Sequence, residues 1–326
     1  MYRQDVPISL KSSASSLTNN LSVLPVPDRR QLLYLVVHKS LVNLVSAATD
    51  GSSVLGRQIA CKEPAATTAL GLPFLMQAKW VVLPSRTLLV LTTSRGIQIF
   101  EPDGVAMVYW HSLSDSLDKS NYAKGVAGVG EKTLCVGTET GAILMFDVPP
   151  KGSNVILMDT VCKHEAPVSD LTSEKDVLAS ADDLGTIILW KFNGVKLSPV
   201  TSIRGTGWPC NSLALWRRVL IAGFASGHLR VYNANSGICG AEVLAHARTI
   251  NAVDVSKENG MVLSVSDDTF FRVWRLKALN VPQIEFCHGE SVKNAQLVGG
   301  SFVDGQGRAL CVTGYDTNEI VFFVQA

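Results

Sequence analysis

The chain has 326 residues, with Lys plus Arg at 29 against Asp plus Glu at 28 and a net charge of +1. So even a balance, with no local run of Lys or Arg, excludes an electrostatic footprint for nucleic acid or acidic lipid. Charged residues make up 17%, below the roughly 25% usual for soluble domains, so the chain is either sheet-rich inside, adhesive outside, or both.

The N-terminal MYRQDVPISLKSS has no apolar signal core, and no stretch approaches the 18 or more apolar residues of a membrane span. Seven cysteines are scattered with no CxxC pair, which fits reduced thiols in the cytoplasm, or the nucleus, with many of them serving as small buried hydrophobes. Asp5–Leu10 (DVPISL) reads as a short strand and Lys11–Asn20 (KSSASSLTNN) as a polar linker whose Asn20-Leu21-Ser22 sequon is accidental.

A repeated pattern follows in chain order: an apolar strand, a tight turn, then a second apolar strand ending in an aromatic. LLYLVVHKSLVNLV (32–45) is the weakest copy, with Val45 in the aromatic's place. TLLVLTTSRGIQIF (87–100), TLCVGTETGAILMF (133–146), VLASADDLGTIILW (177–190), VLIAGFASGHLRVY (219–232), VLSVSDDTFFRVW (262–274) and ALCVTGYDTNEIVFF (309–323) complete the series. Phe100, Phe146, Trp190, Tyr232, Trp274 and Phe323 are spaced 46, 44, 42, 42 and 49 residues apart. Near-continuous Val, Ile, Leu and Ala predicts first strands buried on both faces, and Gly, Asp, Ser, Thr or Asn predicts the turns. Further strands are predicted at 78–83, 105–110, 211–216 and 250–255, and no amphipathic helix of 12 or more residues emerges.

A period of about 40–45 residues with aromatic punctuation is the pattern of four-stranded propeller blades. The expectation is one all-β domain over 1–326: a seven-bladed β-propeller of four-stranded antiparallel blades at about 21–61, 75–111, 124–160, 168–203, 210–244, 250–288 and 292–326. An open ring would expose unpaired edges, so residues 5–10 are expected to supply the last blade's missing strand.

The sixth unit, HARTINAVDV (246–255) followed by MVLSVSDDTFFRVW (261–274), resembles a WD-repeat β-propeller blade. That resemblance implies a hydrogen-bonded tetrad of His246, Ser264, Asp268 and Trp274. The fourth unit is similar, with His164, Ser180 and Trp190, Asp183 as the acid, and Leu184 as an extra residue before the turn glycine. The WD dipeptide itself is absent, and the other units lack the Trp and mostly the Asp. The family resemblance also implies that the loops entering each blade and the turns inside it share one end of the ring. That places Arg95, Trp208, Phe224, Arg248 and Tyr315 near one face as candidate partner-binding residues, Arg and aromatics being the types that anchor interfaces.

Catalytic patterns fail on inspection. His164-Glu165 opens like HExxH, but Val168 occupies the second histidine's place. Residues 125–133 (GVAGVGEKT) resemble a phosphate loop, except that Glu131 intervenes before the Lys and a strand follows where a helix is needed. No GxSxG occurs. The pairs Asp182-Asp183 and Asp267-Asp268 fall where the tetrad acid belongs and read as structural. No catalytic residue, metal or cofactor is expected. The functional expectation is a non-catalytic interaction scaffold with protein partners, the alternatives being self-association into a homo-oligomer or an enzyme with a site at the channel mouth. Two longer connections, 61–74 and 111–124, stand out, the second carrying Ser112, Ser114, Ser116 and Ser120 beside Asp115 and Asp118.

Overall fold

The computed structural model describes residues 2–62, 72–113, 121–277 and 280–326. Most of both long connections, including Ser114, Ser116, Ser120, Asp115 and Asp118, therefore lies outside the described residues. Seven antiparallel sheets form the ring, six of four strands and one of five. Among the described residues the single helical element is the one-turn 3-10 segment Pro27–Arg29.

Blade four shows the common plan. Its inner strand Val168–Glu174 pairs with Val177–Asp182, then Ile187–Phe192, then the outer strand Leu197–Ile203. Burial falls outward: the second strand is almost wholly buried, whereas the outer one, after the buried Leu197, is exposed or half-buried throughout. Every strand reverses the one before, so inter-blade loops and second-to-third-strand turns gather at one end of the ring.

The core lies between blades and not within one. Seven apolar clusters each combine two successive sheets; Val81, Leu88 and Ile97 of blade two, for example, pack with Val126, Leu134 and Phe146 of blade three. The periodic aromatics occupy one register position. Phe100 stands opposite Leu89, Phe146 opposite Leu134, Trp190 opposite Leu178, Tyr232 opposite Leu220, Trp274 opposite Val262 and Phe323 opposite Leu310. Blade one keeps the pair but exchanges its members: Val45 stands opposite Tyr34, so the ring comes from the neighbouring strand. Tyr34 is buried edge-on against Phe322 of blade seven.

Each inner strand turns an unpaired edge toward the channel, and unpaired backbone groups must find partners. Side chains of adjacent blades supply them at all seven junctions. Ser22 accepts the N–H of Trp80, Gln77 that of Gly125, Asp170 that of Leu213, Ser212 that of Val253 and Asp254 that of Phe302. Ser173 donates to the carbonyl of Gly128, and Thr313 to that of Asn20.

Closure differs in detail from the sequence reading. Two short segments, Tyr2–Gln4 and Ile8–Ser9, pair with the last strand, Glu319–Gln325, in place of one strand over 5–10. Between them Pro7 has no N–H to donate to a ladder. The Ser-rich segment 11–20 is not a loose linker either. Ala14 bridges to Tyr315, and the buried Asn20 amide donates to the carbonyls of Ser15 and Val37 and accepts the Val37 N–H. That amide is fully used inside the protein, so the sequon is structural polarity.

Candidate interaction face

In blade six the loop before the inner strand brings His246 inward. Its Nδ1 lies 3.0 Å from Asp268 Oδ1 and its Nε2 2.8 Å from Ser264 Oγ, which also accepts the Trp274 indole N–H at 3.0 Å. Burial pushes the imidazole below its ordinary range despite the carboxylate, so the ring is neutral, with Arg272 Nη1 also 2.7 Å from its Nδ1. Burial opposes ionisation of Asp268, but the hydrogen bond from His246 and the N–H groups of Phe270 and Ala247 outweigh it and hold the carboxyl well below the usual range. The carboxylate accepts Ala247 N–H at 3.0 Å and Phe270 N–H at 3.0 Å, with Arg272 Nη1 at 3.2 Å. One side chain thus ties the loop carrying Arg248 to the turn carrying Phe270.

Blade four makes the same network from a different position, which corrects the sequence assignment. The acid is Asp182, not Asp183: Asp182 Oδ2 lies 2.8 Å from His164 Nδ1, and Ser180 Oγ links His164 Nε2 at 2.6 Å to Trp190 Nε1 at 2.8 Å. Ala181 pairs with Ile187 as Val265 pairs with Phe271, so the two turns have equal length and Leu184 is no insertion. It occupies the place of Asp268, and the carboxylate comes from two residues earlier, at the strand end where blade six has Ser266. From there Asp182 Oδ1 accepts the N–H groups of Leu184 at 3.0 Å and Thr186 at 2.8 Å. Asp183 lies half-buried outside the network, its carboxyl raised by burial against the pull of Lys124. Ile188 stands where blade six has Arg272, so the blade-four network is sealed by hydrocarbon.

Arg95, Trp208, Arg248 and Tyr315 lie at the end of the ring where inter-blade loops and inner turns gather: Arg95 and Tyr315 in the turns of blades two and seven, Trp208 and Arg248 in the loops before blades five and six. Trp208 and Arg248 are thus neighbours one blade apart, Tyr315 follows on the next blade, and Arg95 alone is separated from them around the ring. Trp208 is 56% exposed and Tyr315 48%, while Phe224 is 0% exposed. Phe224 is therefore a core residue. It ends the second strand of blade five, where blade four has Asp182, and packs among Ala181, Ile187 and Leu213. Arg230 covers its ring at 4.6 Å while bonding Glu242 and Thr206.

At the inner turns of blades four and six, sequence reasoning missed two exposed apolar residues. Leu184 is 50% exposed, and its carbonyl accepts the Gly207 N–H, tying its turn to the Trp208 loop. The adjacent Gly185 has φ +80, and a Cβ there would strike the Trp208 carbonyl, so the turn and loop touch only because the residue is glycine. Phe270 is the other, with Arg272 over its ring at 4.9 Å. The signal for Leu184 was an apolar residue where a tetrad acid belongs, visible once the turns are aligned at equal length.

The WDR54 family model matches residues 1–326. This chain belongs to the WDR54 family. It is 40% identical over 337 residues to WD repeat-containing protein 54 of Mus musculus, covering 99% of each chain, and 40% identical over 334 residues to that of Homo sapiens, covering 98% of each. Among solved structures, a chain of the mitotic checkpoint complex superposes with TM-score 0.76 at 14% identity, covering 98% of this chain and 91% of its own. The RRP9 WD40 repeats superpose with TM-score 0.71 at 12% identity, covering 99% of this chain and 100% of theirs. Those likenesses show the fold, and with the family they make the ring a WD-repeat propeller. Propellers of this class generally mediate protein–protein interactions.

Proposed function

We propose that the protein is a non-catalytic scaffold that captures a protein partner on the loop-bearing end of the ring, over blades four to six. The observation that carries this reading is the coupling of tetrad to surface. Asp182 fixes the turn of Leu184, and that turn holds the Trp208 loop. Asp268 fixes both the Arg248 loop and the Phe270 turn. Large exposed apolar and arginine side chains on immobilised backbone lose little entropy on binding, which is how preorganised surfaces gain affinity.

Proximity labelling in cells tests this, comparing wild type with Trp208→Ala/Arg248→Ala and with Val54→Ser, an exposed position on the outer strand of blade one, as control. The double variant should melt like wild type and lose a defined set of labelled neighbours that the control retains. An unchanged neighbour set would remove the proposed face.

One observation favours self-association as a second reading. The outer strand of blade three exposes Ile156, Leu157 and Met158 in succession, and blade four adds Val200; an apolar edge strand is a ready site for pairing. Light scattering across a dilution series that finds a monomer throughout would end it.

A further inference from the structure

The outer strands of blades two to six share an irregularity. At the level of each periodic aromatic one extra residue interrupts the pairing: Val108 near Phe100, Met158 near Phe146, Val200 near Trp190, Gly240 near Tyr232 and Cys287 near Trp274. A bulge twists an edge and breaks its ladder, which protects it from pairing with another chain. Such edges expose side chains, as blade three does, without offering a continuous backbone ladder. Blade one has no bulge. Val45 takes the aromatic's place opposite Gly56, and the outer strand Val54–Ala60 pairs without interruption. That makes seven consecutive pairs, where no other described outer strand keeps more than four in a row.

The ladder also fixes which way this backbone faces. At its two ends Ala48 N–H donates to the Ser53 carbonyl and Cys61 N–H to that of Ser40. Hydrogen-bonded pairs alternate along an antiparallel ladder, so the backbone groups of Leu55, Arg57 and Ile59 bond inward to the neighbouring strand. Those of Val54, Gly56, Gln58 and Ala60 turn outward, all four residues are exposed, and no described residue bonds their backbone there. The Gln58 amide donates to Ser12 Oγ at 2.7 Å and Asn43 Oδ1 at 3.3 Å, which holds the edge against the N-terminal segment.

Side chains along the edge select what can join it. Ile59 is buried on the side facing blade two, where Gly104 lies against it. Alternation puts Leu55 and Arg57 on the same side. Leu55 is 73% exposed, and Arg57 is half-buried with no ion pair or side-chain hydrogen bond among the described residues. A second copy of the chain fits poorly, because full antiparallel overlap sets Arg57 opposite its own copy, and like charges directly opposite destabilise a pair.

We infer that the outer strand of blade one captures an extended peptide of a partner protein by sheet addition, with a carboxylate opposite Arg57 and an aliphatic side chain beside Leu55. Backbone hydrogen bonds supply the affinity and the two side-chain positions the selectivity. This edge lies on the rim of the ring at blade one, apart from the loops of blades four to six, so it stands or falls independently of the proposed partner face.

Panning a library of random eight-residue peptides against the full chain, then measuring the selected peptides by fluorescence anisotropy, tests it. Gly56→Pro removes one outward N–H, leaves the inward ladder intact and has room beside Val45. It should melt like wild type and weaken a set of the selected peptides tenfold or more. Those peptides should carry Asp or Glu two residues from an aliphatic, and Arg57→Glu should weaken the same set tenfold or more, which keeps the test decisive if Gly56→Pro melts early. Val54→Ser keeps its backbone groups and changes a side chain on the opposite side, so it should bind them as wild type does. In hydrogen exchange a bound peptide should protect the amides of Gly56 and Gln58. No selected peptide sensitive to both variants, a sensitive set lacking acidic residues, or a dimer in light scattering that Gly56→Pro abolishes would each overturn the assignment.

Discussion

Blades four and six carry the same four side-chain types, with the serine ten residues before the tryptophan in both, yet their carboxylates come from different places. In blade six Asp268 stands within the turn, beside Arg272 and partly toward solvent. In blade four Asp182 stands at the strand end, beneath a turn whose tip is the exposed Leu184. What the fold holds constant is a carboxylate within reach of the imidazole and the turn amides, not a sequence position. The displacement has a surface consequence. With the acid drawn inward, the turn position it vacates is free to hold a large apolar residue beside Trp208, while blade six keeps an arginine and a phenylalanine in the same region.

The strand-end position is the point at which to break that comparison, because blade five fills it with Phe224. Phe224→Ala should produce the largest effect, a loss of about 3–5 kcal/mol from an aromatic cavity between blades four and five, read as a lowered melting temperature. Next, Asp182→Ala should cost about 3 kcal/mol, since it strands a buried imidazole and two turn amides. Asp183→Ala, which removes only a through-space counter-charge of the buried Lys124, should cost about 1 kcal/mol or less. Converting blade four to the blade-six arrangement with Asp182→Ser/Leu184→Asp should recover at least half of what Asp182→Ser alone loses. Equal effects at Asp182 and Asp183 would return the acid to the position read from sequence.

The smallest effect separates the two histidine sites by pH. The folded His246 binds a proton less readily than its unfolded form, whose pKa is near 6.5. The unfolded state therefore binds more protons below that value, and stability present above pH 6.5 falls as the solution is acidified. His111, lowered by burial as well, contributes with the same sign. The difference between wild type and His246→Gln isolates the tetrad: melting temperature should fall less steeply from pH 7 to pH 5 in the variant. Parallel curves would mean that His246 binds a proton equally well folded and unfolded, and a steeper fall in the variant would mean that it is charged in the folded protein.

The ring, its seven sheets and the complete blade-six tetrad were legible in the sequence, because they depend on periodic apolar strands and a near-complete motif. Val45 was read correctly as a substitute, but that Tyr34 supplies the missing ring from the opposite strand depends on cross-strand register, which spacing does not encode. Asp182 was missed because two adjacent aspartates leave register to decide which one faces inward. Phe224 was misplaced because an aromatic in a strand–turn sequence looks like a surface anchor until the packing of blade four over it is known. The channel stitching left no pattern to read: Gln77, Ser173, Ser212 and Thr313 are unremarkable polar residues whose partners lie on other blades.

The central claim is that two tetrad carboxylates immobilise the loops that form the partner face. Amide hydrogen exchange in wild type and Asp268→Ala, a variant expected to lose about 3 kcal/mol yet remain folded, tests it most directly. The account predicts that Ala247 and Phe270 lose protection in the variant while Leu184 and Thr186, held by Asp182, exchange as in wild type. Unchanged protection at Ala247 and Phe270, or an equal loss at all four amides, would contradict it.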